Sequence, residues 1–252
     1  CAANYKSAIN AQKAGAHRIE LCSELAIGGI TPSYGLLKKV VDSVSIPVFV
    51  LIRPRSGSFT YSDAEFDIMK ENIILCKSLG VSGIVSGVLK EDYTIDEIRT
   101  QELIELSKPL PFTFHRAFDW TPNPIEALEQ LIKIGVNRVL TSGQESNAEK
   151  GFELLKRLKS MANNRIIILP GSRIKSDNAM LFKEAGFKEI HASASTILKN
   201  KKLNTVSMNS SIFLSDVNSY YSDTNKIKGI LNSISNENCS SEVICISGFM
   251  GY

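Results

Sequence analysis

The chain has 252 residues, of which 43% are hydrophobic and 22% charged, and its 29 basic and 26 acidic side chains leave a formal net charge of +3. That length suits one barrel-sized domain with a sizeable core, and so balanced a charge gives no electrostatic reason to expect nucleic acid or a charged membrane as a partner. No apolar run is long enough to span a bilayer and no signal peptide is expected at residues 1 to 20, while the five scattered cysteines, without a Cys-x-x-Cys, point to a reducing cytoplasm and not to a disulfide scaffold.

The chain begins at Cys1 and already reads as helix from Ala2 to Ala14, stopped at Gly15. A strand ahead of that helix is therefore expected to be largely missing. His17 to Cys22 alternates as a strand. Gly28 to Ser33 forms a loop that feeds a helix over Tyr34 to Val41. Pro47 to Ile52 is almost wholly apolar, as for a strand buried on both faces, and it runs into Arg53-Pro54-Arg55-Ser56-Gly57. Ser62-Asp63-Ala64-Glu65 carries a capping pattern for a helix that ends at Gly80. Val81 to Val88 is a strand and Asp96 to Ser107 a helix. Leu110 to Trp120 then reads as a short aromatic strand ending in His115, Arg116 and Asp119. Pro122 and Pro124 introduce a helix to Ile134. A strand over Val136 to Leu140 leads into Thr141-Ser142-Gly143, and a helix follows over Asn147 to Ala162. Arg165 to Leu169 is a strand, Ser176 to Ala185 a helix, and Phe187 to His191 a last strand.

Counting the incomplete first strand, this gives eight strands, spaced as in βα units. The motif of helix, glycine and apolar strand recurs at Gly15, Gly80, Gly135 and Gly186. The pattern predicts an α/β protein of the (β/α)₈ TIM-barrel type, over residues 1–203, with its first strand truncated. No Gly-x-Gly-x-x-Gly follows an early strand, so no nucleotide or other organic cofactor is indicated. From Asn204 the chain turns rich in Ser and Asn. Residues 204–235 are expected to form an extension with one helix, near Lys226 to Ile234, packing on the barrel, and residues 236–252 a flexible tail.

In such barrels the strand ends carry function and the strand starts carry stability. His17 opens its strand and belongs to the stability face, whereas His115 and His191 close theirs. The same test selects Cys1, Glu20, Cys22, Arg53, Arg55, Ser142, Gly171 and Ser193. Cys1 and Cys22 end consecutive strands, about 4.8 Å apart in a parallel sheet. They form either a soft thiol pair suited to Cu(I) or two buried core cysteines. Arg53, Arg55, Arg116, His115 and His191, with Glu20 and Asp119 as counter-charges, form either an anion site or a salt-bridge lattice. As an anion site they would bind phosphate or carboxylate with Ser142, Gly171 and Ser193, and Glu20, His115, Asp119 and His191 would be the candidates for acid–base work. Glu20 is the expected partner of Arg53, because a buried cation without a carboxylate is costly. No Walker, His-Glu-x-x-His or Gly-x-Ser-x-Gly motif is present.

Several fragments, in order, resemble the CutC family: Arg18 to Cys22, Thr31-Pro32-Ser33, Ile52 to Arg55 with Phe59 and Tyr61 to Asp63, Thr113 to Asp119, Leu140 to Gly143, and Leu169 to Gly171. The resemblance runs from Cys1 to about residue 235. It implies a cytoplasmic TIM-barrel protein of copper homeostasis, with Cys1 and Cys22 matching the family's two cysteines and a copper ion as the bound species. The alternative is an enzyme acting on a small anionic molecule. A homo-oligomer is left open. The chain departs from the family pattern at His17, at Ser172-Arg173 where glycines are usual, and at Ser195 where an arginine is expected.

Overall fold

The computed structural model describes residues 1–199 and 218–235. Six parallel strands form one curled sheet in sequential order: β1 (Ile19–Leu21), β2 (Val48–Leu51), β3 (Gly83–Ser86), β4 (Phe112–Phe114), β5 (Arg138–Thr141) and β6 (Ile167–Pro170). The helices that alternate with them are α1 (Tyr5–Lys13), α2 (Tyr34–Val41), α3 (Asp63–Ser78), α4 (Glu97–Ser107), α5 (Pro124–Lys133), α6 (Phe152–Ala162) and α7 (Ala179–Glu184). Local chemistry sets their ends. Ser62 and Glu65 exchange hydrogen bonds in a capping box that starts α3, Asn123 caps α5 ahead of Pro124, and Gly135 takes φ 85° where α5 must stop.

The two strands expected at the open edges shrink to single bridges. Ala2 pairs in parallel with Leu21, and Gly171 with His191. The backbone N of Cys1 lies 3.3 Å from the carbonyl of Ala192, so the two edges meet and the ring closes. The predicted TIM-barrel class therefore holds, with six full strands and two residual ones. His17 is exposed at the start of β1, on the opposite rim from the strand ends that carry His115 and His191.

Two features were not anticipated. Ser195–Lys199 (β7) and Asn218–Ser222 (β8) pair as an antiparallel ribbon. Two 3₁₀ turns, Leu25–Ile27 and Arg116–Trp120, follow β1 and β4. The expected C-terminal helix is α8 (Thr224–Ile234), which buries Ile227, Ile230 and Ile234 and reaches α1 and α7. The expectations for residues 200–217 and 236–252 lie outside the described residues.

Alternation along each strand divides the core. Ile19, Leu21, Val50, Ile84, Phe112, Phe114, Val139 and Ile168 belong to the large cluster between sheet and helices. Facing the other way, Cys1, Cys22, Leu25, Phe49, Leu51 and Val85 form a small cluster inside the barrel. Leu140 and Leu169, which alternate with Val139 and Ile168, are buried outside both clusters, and charged groups share the interior with these apolar side chains. At the strand-start end Glu189 accepts from Arg18 Nη2 at 2.8 Å and from Arg138 Nε at 2.9 Å, and both guanidiniums lie over the ring of Phe49, at 4.5 and 5.6 Å. Burial alone would raise the Glu189 pKa. Hydrogen bonds from Arg18 and then Arg138 more than offset it, so the carboxyl sits below its ordinary value of 4.5.

Replacing Glu189 by Gln leaves two interior cations without a counter-charge. Glu189→Gln is expected to cost about 3–5 kcal/mol at pH 7, read by chemical denaturation. Because the native pKa is depressed, the stabilisation is present above the ordinary carboxylate value and is lost as pH falls through the native one. The gap between wild type and variant should therefore narrow in acid, and a gap independent of pH would contradict this account.

Candidate functional site

The strand-end rim brings together the thiols first. Cys1 and Cys22 are buried and free, and their sulfurs lie 3.0 Å apart. The Ala2–Leu21 bridge sets this geometry, because it places the residues flanking it on one inward face. Burial, and next the charge of Glu20, pushes the Cys22 thiol up to about 12, so it is protonated at neutral pH.

Glu20 points into the same interior. Its Oε2 lies 3.8 Å from Nδ1 of His191, which is fully buried. Burial is the main cause that pushes the Glu20 carboxyl up to about 7. The expected pairing of Glu20 with Arg53 does not form. Arg53 is solvated by the carbonyls of Ile27, Gly29 and Gly57, at 3.0, 2.9 and 2.9 Å, and no carboxylate among the described residues reaches it. The reason is the 3₁₀ turn after β1: it delivers two carbonyls to Arg53.

His115 is buried, and its Nδ1 accepts the N–H of Ala117 at 3.2 Å, capping the 3₁₀ turn that follows. Burial, with Arg53 adding to it, lowers its pKa to about 3, so the ring is neutral near pH 7. Asp119 accepts from Arg116 Nε at 2.6 Å, Thr141 Oγ1 at 2.5 Å, Ser142 N at 3.1 Å and Gln144 N at 3.3 Å, and Ser142 Oγ lies 2.9 Å away. These contacts fill the capacity of a carboxylate. They make Asp119, Arg116 and Ser142 a clamp that shapes the loop after β5. Arg55 turns away from the interior to Glu65, at 2.5 Å, and braces its own loop. Gly171 is a packing position, since a Cβ there would come within 2.5 Å of Leu140. Ser193 Oγ lies 3.4 Å from Ser195 Oγ.

Sequence reasoning missed an aromatic group. Phe59, Tyr93 and Trp120 come from three consecutive strand-end loops. Phe59 lies 4.8 Å from both His115 and Trp120, and Tyr93 lies 6.1 Å from Trp120. A usable signal was present: all three lie in loops that follow consecutive strand ends.

A parallel barrel with a buried thiol pair at its strand-end mouth is the class defined so far. The CutC family model matches residues 1–196, and the chain belongs to the CutC family. It is 45% identical over 232 residues to the human copper homeostasis protein cutC homolog, covering 90% of this chain and 85% of that protein. The CutC family protein of Proteus mirabilis is 47% identical over 194 residues, 77% of each chain. The crystal structure of a copper homeostasis protein CutC from Streptococcus agalactiae superposes with TM-score 0.72 at 35% identity, covering 76% of this chain and 95% of that one. QR15, an aldolase, shares the fold alone, with TM-score 0.56 at 14% identity over 74% of this chain and 81% of that one. No helix among the described residues is long and apolar enough to cross a membrane.

Glu20 offers a direct test of the interior. A carboxyl raised from 4.5 to about 7 stays protonated in the fold while the unfolded chain ionises. Stability from this group is therefore complete below pH 4.5 and declines as pH rises to about 7. Glu20→Gln should remove that decline, gaining about 3 kcal/mol at pH 8 relative to pH 4. Parallel denaturation curves for wild type and variant across that range would refute the assignment.

Proposed function

We propose that this chain serves copper homeostasis by binding Cu(I) as its cargo through Cys1 and Cys22. The observation that carries the reading is the 3.0 Å approach of two buried, free sulfurs inside the barrel mouth. Soft thiolates favour Cu(I) over hard ions. A closed four-ligand zinc site has no support, because no group of three His, Cys, Asp or Glu side chains suited to a metal occurs among the described residues. The donor set fits with one adjustment. Metal–thiolate bonds run about 2.3 Å in zinc sites, so sulfurs 3.0 Å apart must part before an ion can sit between them in an open angle. Free thiols also favour a reducing compartment, and we infer the cytoplasm as the place of action.

Binding must displace the thiol protons. With Cys22 raised to about 12, affinity should rise steeply with pH. Cu(I) titration of the reduced protein under argon, against a competing chelator, should show one ion per chain. Apparent affinity should increase about tenfold to a hundredfold per pH unit, for one or two protons released. Cys22→Ser should lose at least two orders of magnitude. Affinity that survives replacement of both cysteines would overturn the reading.

A further inference from the structure

The arginines of the barrel differ in one respect. Arg18 and Arg138 share Glu189, at 2.8 and 2.9 Å, and Arg116 holds Asp119, at 2.6 Å. Arg53 is as buried as any of them, and no carboxylate among the described residues lies within ion-pair distance of it. Of its five N–H donors, the carbonyls of Ile27, Gly29 and Gly57 take three. Its Nε is buried and meets no acceptor.

Other polar atoms nearby share that condition. His115 Nε2 and Thr113 Oγ1 are buried without a partner, and the Tyr61 hydroxyl interacts with Arg53 but forms no well-aligned hydrogen bond. Because Nδ1 of His115 accepts the Ala117 N–H, the proton of the neutral ring is on Nε2, which is therefore a donor. Each stranded donor costs about 1–3 kcal/mol, and native folds hold few of them. Water could satisfy the donors but would bring no charge to Arg53. An anion does both.

The surroundings narrow the class of anion. The Arg53 guanidinium lies 5.0 Å over the ring of Phe59, which also contacts His115 and Trp120, at 4.8 Å each. Tyr93 and Trp120 are about half exposed, at 49% and 48%. The polar atoms thus sit beneath a group of aromatic faces. A compact inorganic anion would leave those faces unused, whereas a flat conjugated ring bearing one carboxylate would meet both halves.

We propose that the strand-end mouth holds a second site, distinct from the thiol pair, that binds a small aromatic carboxylate. Its oxygens take Arg53 Nε–H and His115 Nε2–H, and its ring lies against Phe59 and Trp120. The polar atoms are covered in this structure, so the site is closed, and the half-exposed Trp120 and Tyr93 form the edge at which it opens. The proposal does not rest on copper binding.

Trp120 is the only tryptophan in the chain, so its emission reports on the site alone. Reduced, metal-free protein is titrated with benzoate, benzamide and acetate. Benzoate should give a saturable change in Trp120 emission, with benzamide and acetate at least tenfold weaker. Arg53→Gln should weaken benzoate at least tenfold while its circular dichroism stays that of wild type. Should that variant not fold, the ¹⁵N signal of Arg53 Nε in the wild-type protein decides, and it should shift with benzoate and not with benzamide. Cys22→Ser should leave the benzoate titration unchanged, which keeps this outcome separate from that of the copper titration. No saturable response, an equal response to benzamide, an Arg53 signal indifferent to benzoate, or loss of binding in Cys22→Ser would each overturn the proposal.

Discussion

One carboxylate ties together what the backbone joins only thinly. The last strand position contributes a single bridge, Gly171 to His191, and the first a single bridge, Ala2 to Leu21. A closed barrel with two such seams needs help from side chains. Glu189 supplies it, reaching Arg18 on one side of the seam and Arg138 on the other, across 171 and 51 residues of sequence. The ring of Phe49 beneath both cations completes a floor of charge and aromatic surface. Buried ion pairs often gain little over apolar packing. Here the group also fixes which segments are neighbours, and that is the role in which such pairs are best attested.

With the floor fixed, the opposite end is free to hold polar and reactive groups. A different device organises it. Arg53 draws the loop after β1 and the loop after β2 onto one guanidinium through carbonyls alone. Asp119 does the converse, gathering backbone and side-chain donors from the loop after β5 onto one carboxylate. The two centres shape the rim from opposite charges. The same interior also holds neutral His115, the raised carboxyl of Glu20 and the thiol pair.

Much of this was legible in the residues. Apolar runs bounded by glycine and a polar strand-end residue placed β2, β3, β5 and β6 within a residue or two, because buried parallel strands leave so plain a pattern. The rule that strand ends face the site placed Glu20, Cys22, Arg53, His115 and His191 at or near the interior, and it put His17 on the far rim. What could not be read was partner choice. Strand order alone favours Glu20 for Arg53, yet a left-handed Glu24 at φ 53° and a short 3₁₀ turn bring carbonyls closer. The Asp119 clamp depends likewise on a 3₁₀ turn, which has no periodicity long enough to register in sequence. The ribbon of β7 and β8 pairs segments separated by residues 200–217, and nothing in either strand announces the other.

Gly29 gives the mouth a mechanical property. It takes φ 82°, its carbonyl is held by Arg53, and a Cβ there would lie 3.5 Å from the sulfur of Cys22 and 2.9 Å from Leu51. The backbone packs so closely against Leu51 and Cys22 here that no side chain fits in the wall beside the thiols. The backbone unit that borders Cys22 is tethered to a guanidinium that also holds Gly57. The wall beside the thiols and the surface loop at Gly57 are thereby joined through one side chain, Arg53.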